Sequence, residues 1–117
     1  MNSTNKLCIE FLKGQLPLLQ PYFPERLVVR FIEGEPFYSY DCIAIIKKVP
    51  RRLFGFIPFF SNLEYVVCLT LFRESLQCDI YDKRVALTVK GAVNDFSAEL
   101  RVDRTEFHYP EKQPGEY

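Results

Sequence analysis

Apolar side chains near the start of the chain recur at helical spacing. Leu7, Cys8, Phe11 and Leu12 share one side of a 3.6-residue turn, and Lys6, Glu10 and Lys13 lie mostly on the other. Ser3 or Thr4 supplies the cap. Gly14 weakens the helix and Pro17 opposes its continuation, so residues 17–25, with three prolines, read as an extended connector.

At Arg26 the period changes to two. Leu27, Val29 and Phe31 alternate with Val28 and Arg30, which predicts a strand. Gly34-Glu35-Pro36 is a turn signal, and residues 37–49 predict a second strand ending in the apolar run from Cys42 to Ile46. Leu63 to Phe72 is a third, rich in β-branched and aromatic residues. Glu74-Ser75 turns into Leu76, Cys78 and Ile80, and Asp82-Lys83 turns into Val85, Leu87 and Val89. After a break from Gly91 to Asp95, the alternation of Phe96, Ala98, Leu100 and Val102 favours a strand. Residues 95–104 also contain good helix formers, and a helix there is the alternative.

One helix followed by five to seven strands in sequence predicts an α+β fold. The N-terminal helix packs on a curved, mostly antiparallel β-sheet, arranged as a meander or a partly closed barrel. Residues 1–109 are expected to form one domain, with 110–117 a flexible polar C-terminal tail.

Composition fits this picture. A chain of 117 residues suits one core, and a hydrophobic fraction of 48% excludes wholesale disorder. Aromatics reach 15%, all Phe and Tyr, which favours strands and interfaces. The formal net charge is zero, which excludes a generic nucleic-acid binder. The charge is uneven, +3 over residues 1–60 and −3 over 61–117, a split that favours self-association if it survives folding. Glu10 and Lys13 interrupt any signal-peptide core, and no apolar run approaches the ~18 residues of a spanning helix. A cytoplasmic location is expected.

Candidate chemistry is sparse. Cys8, Cys42, Cys68 and Cys78 form no Cys-x-x-Cys pair and have apolar neighbours, so they read as reduced core thiols rather than zinc ligands. A hairpin setting Cys68 opposite Cys78 in a disulfide is the lesser reading. His108, the one histidine, sits between Phe107 and Tyr109 as an exposed strand residue rather than a catalytic base. The acidic pairs Asp79 with Asp82 and Asp95 with Glu99 read as solvated turn residues. Phosphate-binding loops are absent. Asp95-Phe96-Ser97-Ala98-Glu99-Leu100 half resembles the Asp-x-Ser-x-x-Gly element of PilZ-type barrels. Leu100 stands where Gly belongs and the upstream Arg-x-x-x-Arg is missing, so that family is set aside. No metal or cofactor is implied, and the balance leans away from an enzyme.

The exceptional stretch is Lys47 to Phe60. Lys47, Lys48, Arg51 and Arg52 immediately precede six large apolar side chains in eight residues: Leu53, Phe54, Phe56, Ile57, Phe59 and Phe60. Pro50, Gly55 and Pro58 disfavour an uninterrupted central strand and suggest a loop, an edge strand or a wide hairpin. Exposed phenylalanines need a cover: the chain's own core, a protein partner or second copy, or an anionic membrane surface. Nucleic acid is the least suited. The leading functional expectation is a non-catalytic protein-interaction or self-association module using this segment. The alternatives are a pocket domain or small enzyme of cystatin-like or NTF2-like element order, with Tyr38, Tyr40, Tyr65, Tyr81 and Asp41 as pocket groups, or a module that binds membrane surfaces.

Overall fold

The computed structural model describes residues 3–34, 41–53 and 57–113, the side chains of 49–62 excepted. Helix α1 spans Ser3–Leu19 and passes through both Gly14 and Pro17, overturning the extended reading of 17–19. Cys8, Leu12 and Leu19 make one buried stripe. Proline in the last turn costs a single terminal hydrogen bond, which the packing of Leu19, fully buried, offsets. A short 3-10 turn, Gln20–Tyr22, continues the coil instead of an extended connector. The Gln20 side chain then braces the entry to the sheet. Its Nε2 donates to the carbonyls of Phe23 and Glu25, and its Oε1 accepts from the Leu27 amide at 2.9 Å.

Five strands form an open sheet in chain order: β1 (Leu27–Ile32), β2 (Cys42–Leu53), β3 (Ile57–Phe72), β4 (Ser75–Ile80) and β5 (Arg104–His108). The first four are an antiparallel meander. β2 runs four residues past the expected end at 49, and β3 starts six before the expected 63. The turn into β4 is Arg73-Glu74, one residue earlier than anticipated, with Arg73 in the left-handed region (φ 55).

The meander stops there. Where alternation predicts strands over 84–90 and 96–103, the chain forms a 3-10 turn, Lys83–Val85, and helix α2, Ala86–Leu100. The helical alternative for 95–104 is therefore partly met, ending at Leu100. Asp82 starts the segment by accepting from the Arg84 amide at 3.0 Å. Arg101, left-handed at φ 58, and Val102 close it with bonds to the carbonyls of Ala98 and Ser97. Because α2 carries the chain back across the sheet, β5 joins β4 in parallel, which a tight hairpin could not do.

Both helices lie on one side of the sheet. Cys8, Leu12 and Leu19 from α1 and Val89, Val93 and Phe96 from α2 share a core with Leu27, Ile43, Ile45, Val67, Leu69, Leu76, Cys78 and Ile80. Phe11 and Phe96 stack at 4.3 Å between centroids, joining the two helices. On the opposite side, Ala44, Ile46 and Cys68 form a second buried cluster beside Val28, Ile32, Cys42, Tyr65 and Tyr81. No helix among the described residues is long and apolar enough to cross a membrane.

Candidate functional site

The segment singled out by the sequence forms the far end of the β2–β3 hairpin. β1 stops pairing with β2 at Leu27–Lys47, and β4 stops pairing with β3 at Val67–Ile80. Beyond those points β2 and β3 pair only with each other in the described ladder, for six further pairs from Lys48–Leu63 to Leu53–Ile57. The result is a two-stranded arm extending past its neighbours. Pro50 lies opposite Ser61 and Pro58 opposite Arg52. A ribbon with no outer strand among the described residues tolerates a missing amide hydrogen that a central strand would need. Phe59 falls at a register shift and pairs with nothing in the ladder, whereas Arg51 pairs with Phe60. Phe54 and Phe56 lie outside the described residues.

At the foot of the arm the cations divide. Lys47 faces the helices, with its Nζ 3.6 Å from Glu64, 3.9 Å from Glu25 and 5.3 Å from the Phe23 ring centroid. Arg84 stands over the same buried ring at 4.9 Å and also pairs with Asp82. Lys47 is thus engaged within its own chain. Lys48 and its partner Leu63 are exposed.

Within the C-terminal stretch expected to be loose, Gln113 is held against the sheet. The amide of Gln113 caps the backbone of Tyr65 on β3, accepting from its N–H and donating to its carbonyl at 2.9 Å. This occupies the strand edge just where β4 has ended.

Among the described residues, Tyr65, Tyr81 and Asp41 line no common hollow. Tyr38 and Tyr40 lie outside the described residues. Tyr65 and Tyr81 meet edge to face at 5.7 Å on the second cluster, and Asp41 accepts from the Gly34 amide. A hollow of about 370 Å³ lies at the other end of the sheet, lined by Phe72, Arg73, Glu74, Ser75, Asp103 and Arg104. Tyr65, Tyr81 and Asp41 are not among its lining residues.

Register also places the titratable groups. Cys68 faces Asp79 on β4, and Asp79 faces His108 on β5. Cys68 and His108 are therefore two strands apart, about 9–10 Å, too far for the imidazole to take the thiol proton directly. Cys78 lies opposite Leu69, and its side chain joins the helix-side core. Cys68 joins the opposite cluster, which removes the Cys68–Cys78 bridge as a reading. All four thiols are free.

Burial raises the Asp79 carboxyl above its ordinary value, and the nearby His108 opposes this more weakly. A native acid with a raised pKa binds its proton more tightly than the unfolded chain does, so its ionisation costs stability at neutral pH. Asp79→Asn is therefore expected to raise the melting temperature at pH 7. The gain should shrink as pH falls through the raised value and vanish below about 3.9, the ordinary Asp value. Thermal melts across that range check the sign.

With the geometry in hand, comparison brings no further identity. No known protein family, curated protein or solved structure matches the chain.

Proposed function

We propose that the chain is a non-catalytic interaction module, working in the cytoplasm, that docks its β2–β3 arm against another protein chain, a second copy included. The observation carrying this reading is the run of six β2–β3 pairs beyond both flanking strands. A two-stranded ribbon is at best marginally stable alone in water, so such an arm calls for a neighbour. Its sequence supplies the means: Lys48, Arg51 and Arg52 beside Leu53, Phe54, Phe56, Ile57, Phe59 and Phe60. Each large apolar side chain that becomes buried contributes about 1.5–3 kcal/mol, enough for a few to hold a partner. The engagement of Lys47 by Glu25 and Glu64 favours protein over lipid. It removes one of four cations, each worth about 1 kcal/mol at an anionic leaflet.

The test excises the arm. Lys48 and Leu63 face each other in register, so residues 49–62 can be replaced by Asn-Gly, a two-residue hairpin turn. The variant is expected to stay folded, with a melting temperature within a few degrees of the parent. Light scattering over a concentration series should show self-association of the parent that the variant lacks, or cross-linking should show partners it no longer holds. An unfolded variant would place the arm in the chain's own core and end the proposal. So would a monomeric parent whose cross-linked partners match those of the variant. Arm-dependent sedimentation with anionic vesicles, without protein association, would replace it with surface binding.

A further inference from the structure

Cys42 and Cys68 meet on the side of the sheet away from the helices. Cys68 lies opposite Ala44 on β2, so Cys42, two residues earlier, is its diagonal neighbour. Both side chains belong to the same cluster there, and each thiol influences the ionisation of the other. Their settings differ. Cys68 is 4% exposed, whereas Cys42 is partly exposed at the first residue of β2, next to the exposed Asp41.

Their mutual influence distinguishes them chemically. Accepting from the Cys68 S–H favours the Cys42 thiolate, which outweighs the opposing effects of burial, Asp79 and Asp41. Cys68, donating and buried, is pushed well above the ordinary thiol value. Burial also moves Cys8 up to about 11 and Cys78 up to about 12. Nucleophilic attack needs the thiolate, so Cys42 alone of the four combines access with a favoured reactive form.

We propose that Cys42 and Cys68 are a redox-active dithiol that a small disulfide such as glutathione disulfide converts into an inter-strand bridge. The Cys42 thiolate attacks one glutathione sulfur, the glutathione S–S bond breaks, and one glutathione thiolate leaves. Cys68 then gives up its proton and attacks the Cys42 sulfur of the mixed disulfide, expelling the second glutathione. Two protein thiols are oxidised by two electrons, and one disulfide is reduced to two thiols. Diagonal neighbours in a sheet have Cα atoms about 7–8 Å apart, whereas a relaxed disulfide spans about 4.4–6.8 Å. Closing the bridge draws the start of β2 inward. Cys42 ends the ladder there, pairing with Ile32 on β1. Such strain makes the bridge easily reduced, as befits a reversible switch rather than a structural staple.

The reduced chain, freed of reductant, is exposed to glutathione disulfide at neutral pH. It is then followed by intact mass and by tryptic mapping without reduction. Lys13, Lys47, Arg73 and Lys83 place the four cysteines on separate peptides. The expected product has lost two hydrogens, carries one Cys42–Cys68 cross-link and reverts with dithiothreitol. Limiting iodoacetamide should label Cys42 at least about tenfold faster than Cys8 or Cys78 in the folded chain. C68S should stop at a glutathione adduct on Cys42, and C42S, altered at a partly exposed site, should not react. A persistent glutathione adduct on the parent, a cross-link through another cysteine, or C42S reacting at the parent rate would each overturn the proposal. The parent and C42S decide it even if C68S fails to fold.

Discussion

Val89→Asp is expected to unfold most of the population, while Leu87→Asp, two residues earlier, changes stability by less than about 0.5 kcal/mol. Val89 is 3% exposed beneath α2 and belongs to the core shared with both helices. The described side chains that make up that core are apolar, so the chain must bury a charge or protonate it, at several kcal/mol. That is comparable to the whole stability of a typical domain, about 5–15 kcal/mol. Leu87 is 88% exposed, in the first turn of the same helix. An acidic side chain near a helix N-terminus is mildly favourable, which offsets the poorer propensity of Asp. Urea titrations followed by far-ultraviolet circular dichroism measure both. Equal losses would mean that Val85, Leu87 and Val89 point the same way, as in a strand.

That pair of substitutions marks where the sequence misleads. Val85, Leu87 and Val89 alternate, as do Phe96, Ala98, Leu100 and Val102, and period two won the reading. Yet the buried set is Val85, Val89, Val93 and Phe96, spaced four, four and three, an equally good helical stripe. The β-branched valines tilt local preference towards strand, and Gly91 looks like a break. Gly91 is exposed, and a Cβ there would meet nothing within 4 Å, so it interrupts no packing. What selects the helix is tertiary: the face of β4 and β5 above Leu76, Cys78 and Ile80 needs an apolar lid. Had 84–103 been two more strands, that lid would be missing.

The earlier part of the chain was more legible because there the local and tertiary demands agree. Strands β1 and β4 fall within about a residue of their alternation, since one face of each meets the helices and the other carries Arg30 on β1 and Ser75, Gln77 and Asp79 on β4 beside the second cluster. For the arm, Pro50, Gly55 and Pro58 left a loop, an edge strand and a wide hairpin open, and the ladder selects the hairpin, its tip lying outside the described residues. The thiol pair was nearly legible too. A hairpin centred on Gly55 with no irregularity sets Cys42 directly opposite Cys68. Two register shifts on β3 slide the pairing by two, so that Cys68 meets Ala44 and Cys42 becomes diagonal. Bulges have no composition signal in this stretch, and the contact emerges only with the register. The engagement of Lys47 escaped for another reason. Its partners Glu25 and Glu64 come from the connector before β1 and from the next strand. A run of four cations gives no hint that its first member is spoken for.

Phe96→Ala is expected to cost about 3–5 kcal/mol. Phe96 is 7% exposed on α2, and its ring lies parallel to that of Phe11 at 4.3 Å, the planes 5° apart. Truncation removes the buried ring and leaves a cavity where α1 and α2 meet over the sheet. Neither helix can shift freely to fill it, because Leu12 anchors α1 and Val93 anchors α2 in the same core. Phe11 is less buried, so Phe11→Ala should cost less, and the double variant should cost less than the two losses added. The stacked pair itself accounts for about 0.5–1.5 kcal/mol of that shortfall. Guanidinium unfolding of the four proteins closes the cycle. Simple additivity would mean that the helices cover the sheet independently, and a single cooperative lid over β1–β5 would have to be abandoned. Strong coupling would make the two-helix layer one unit with the sheet, leaving the β2–β3 arm as the part of the fold that extends beyond it.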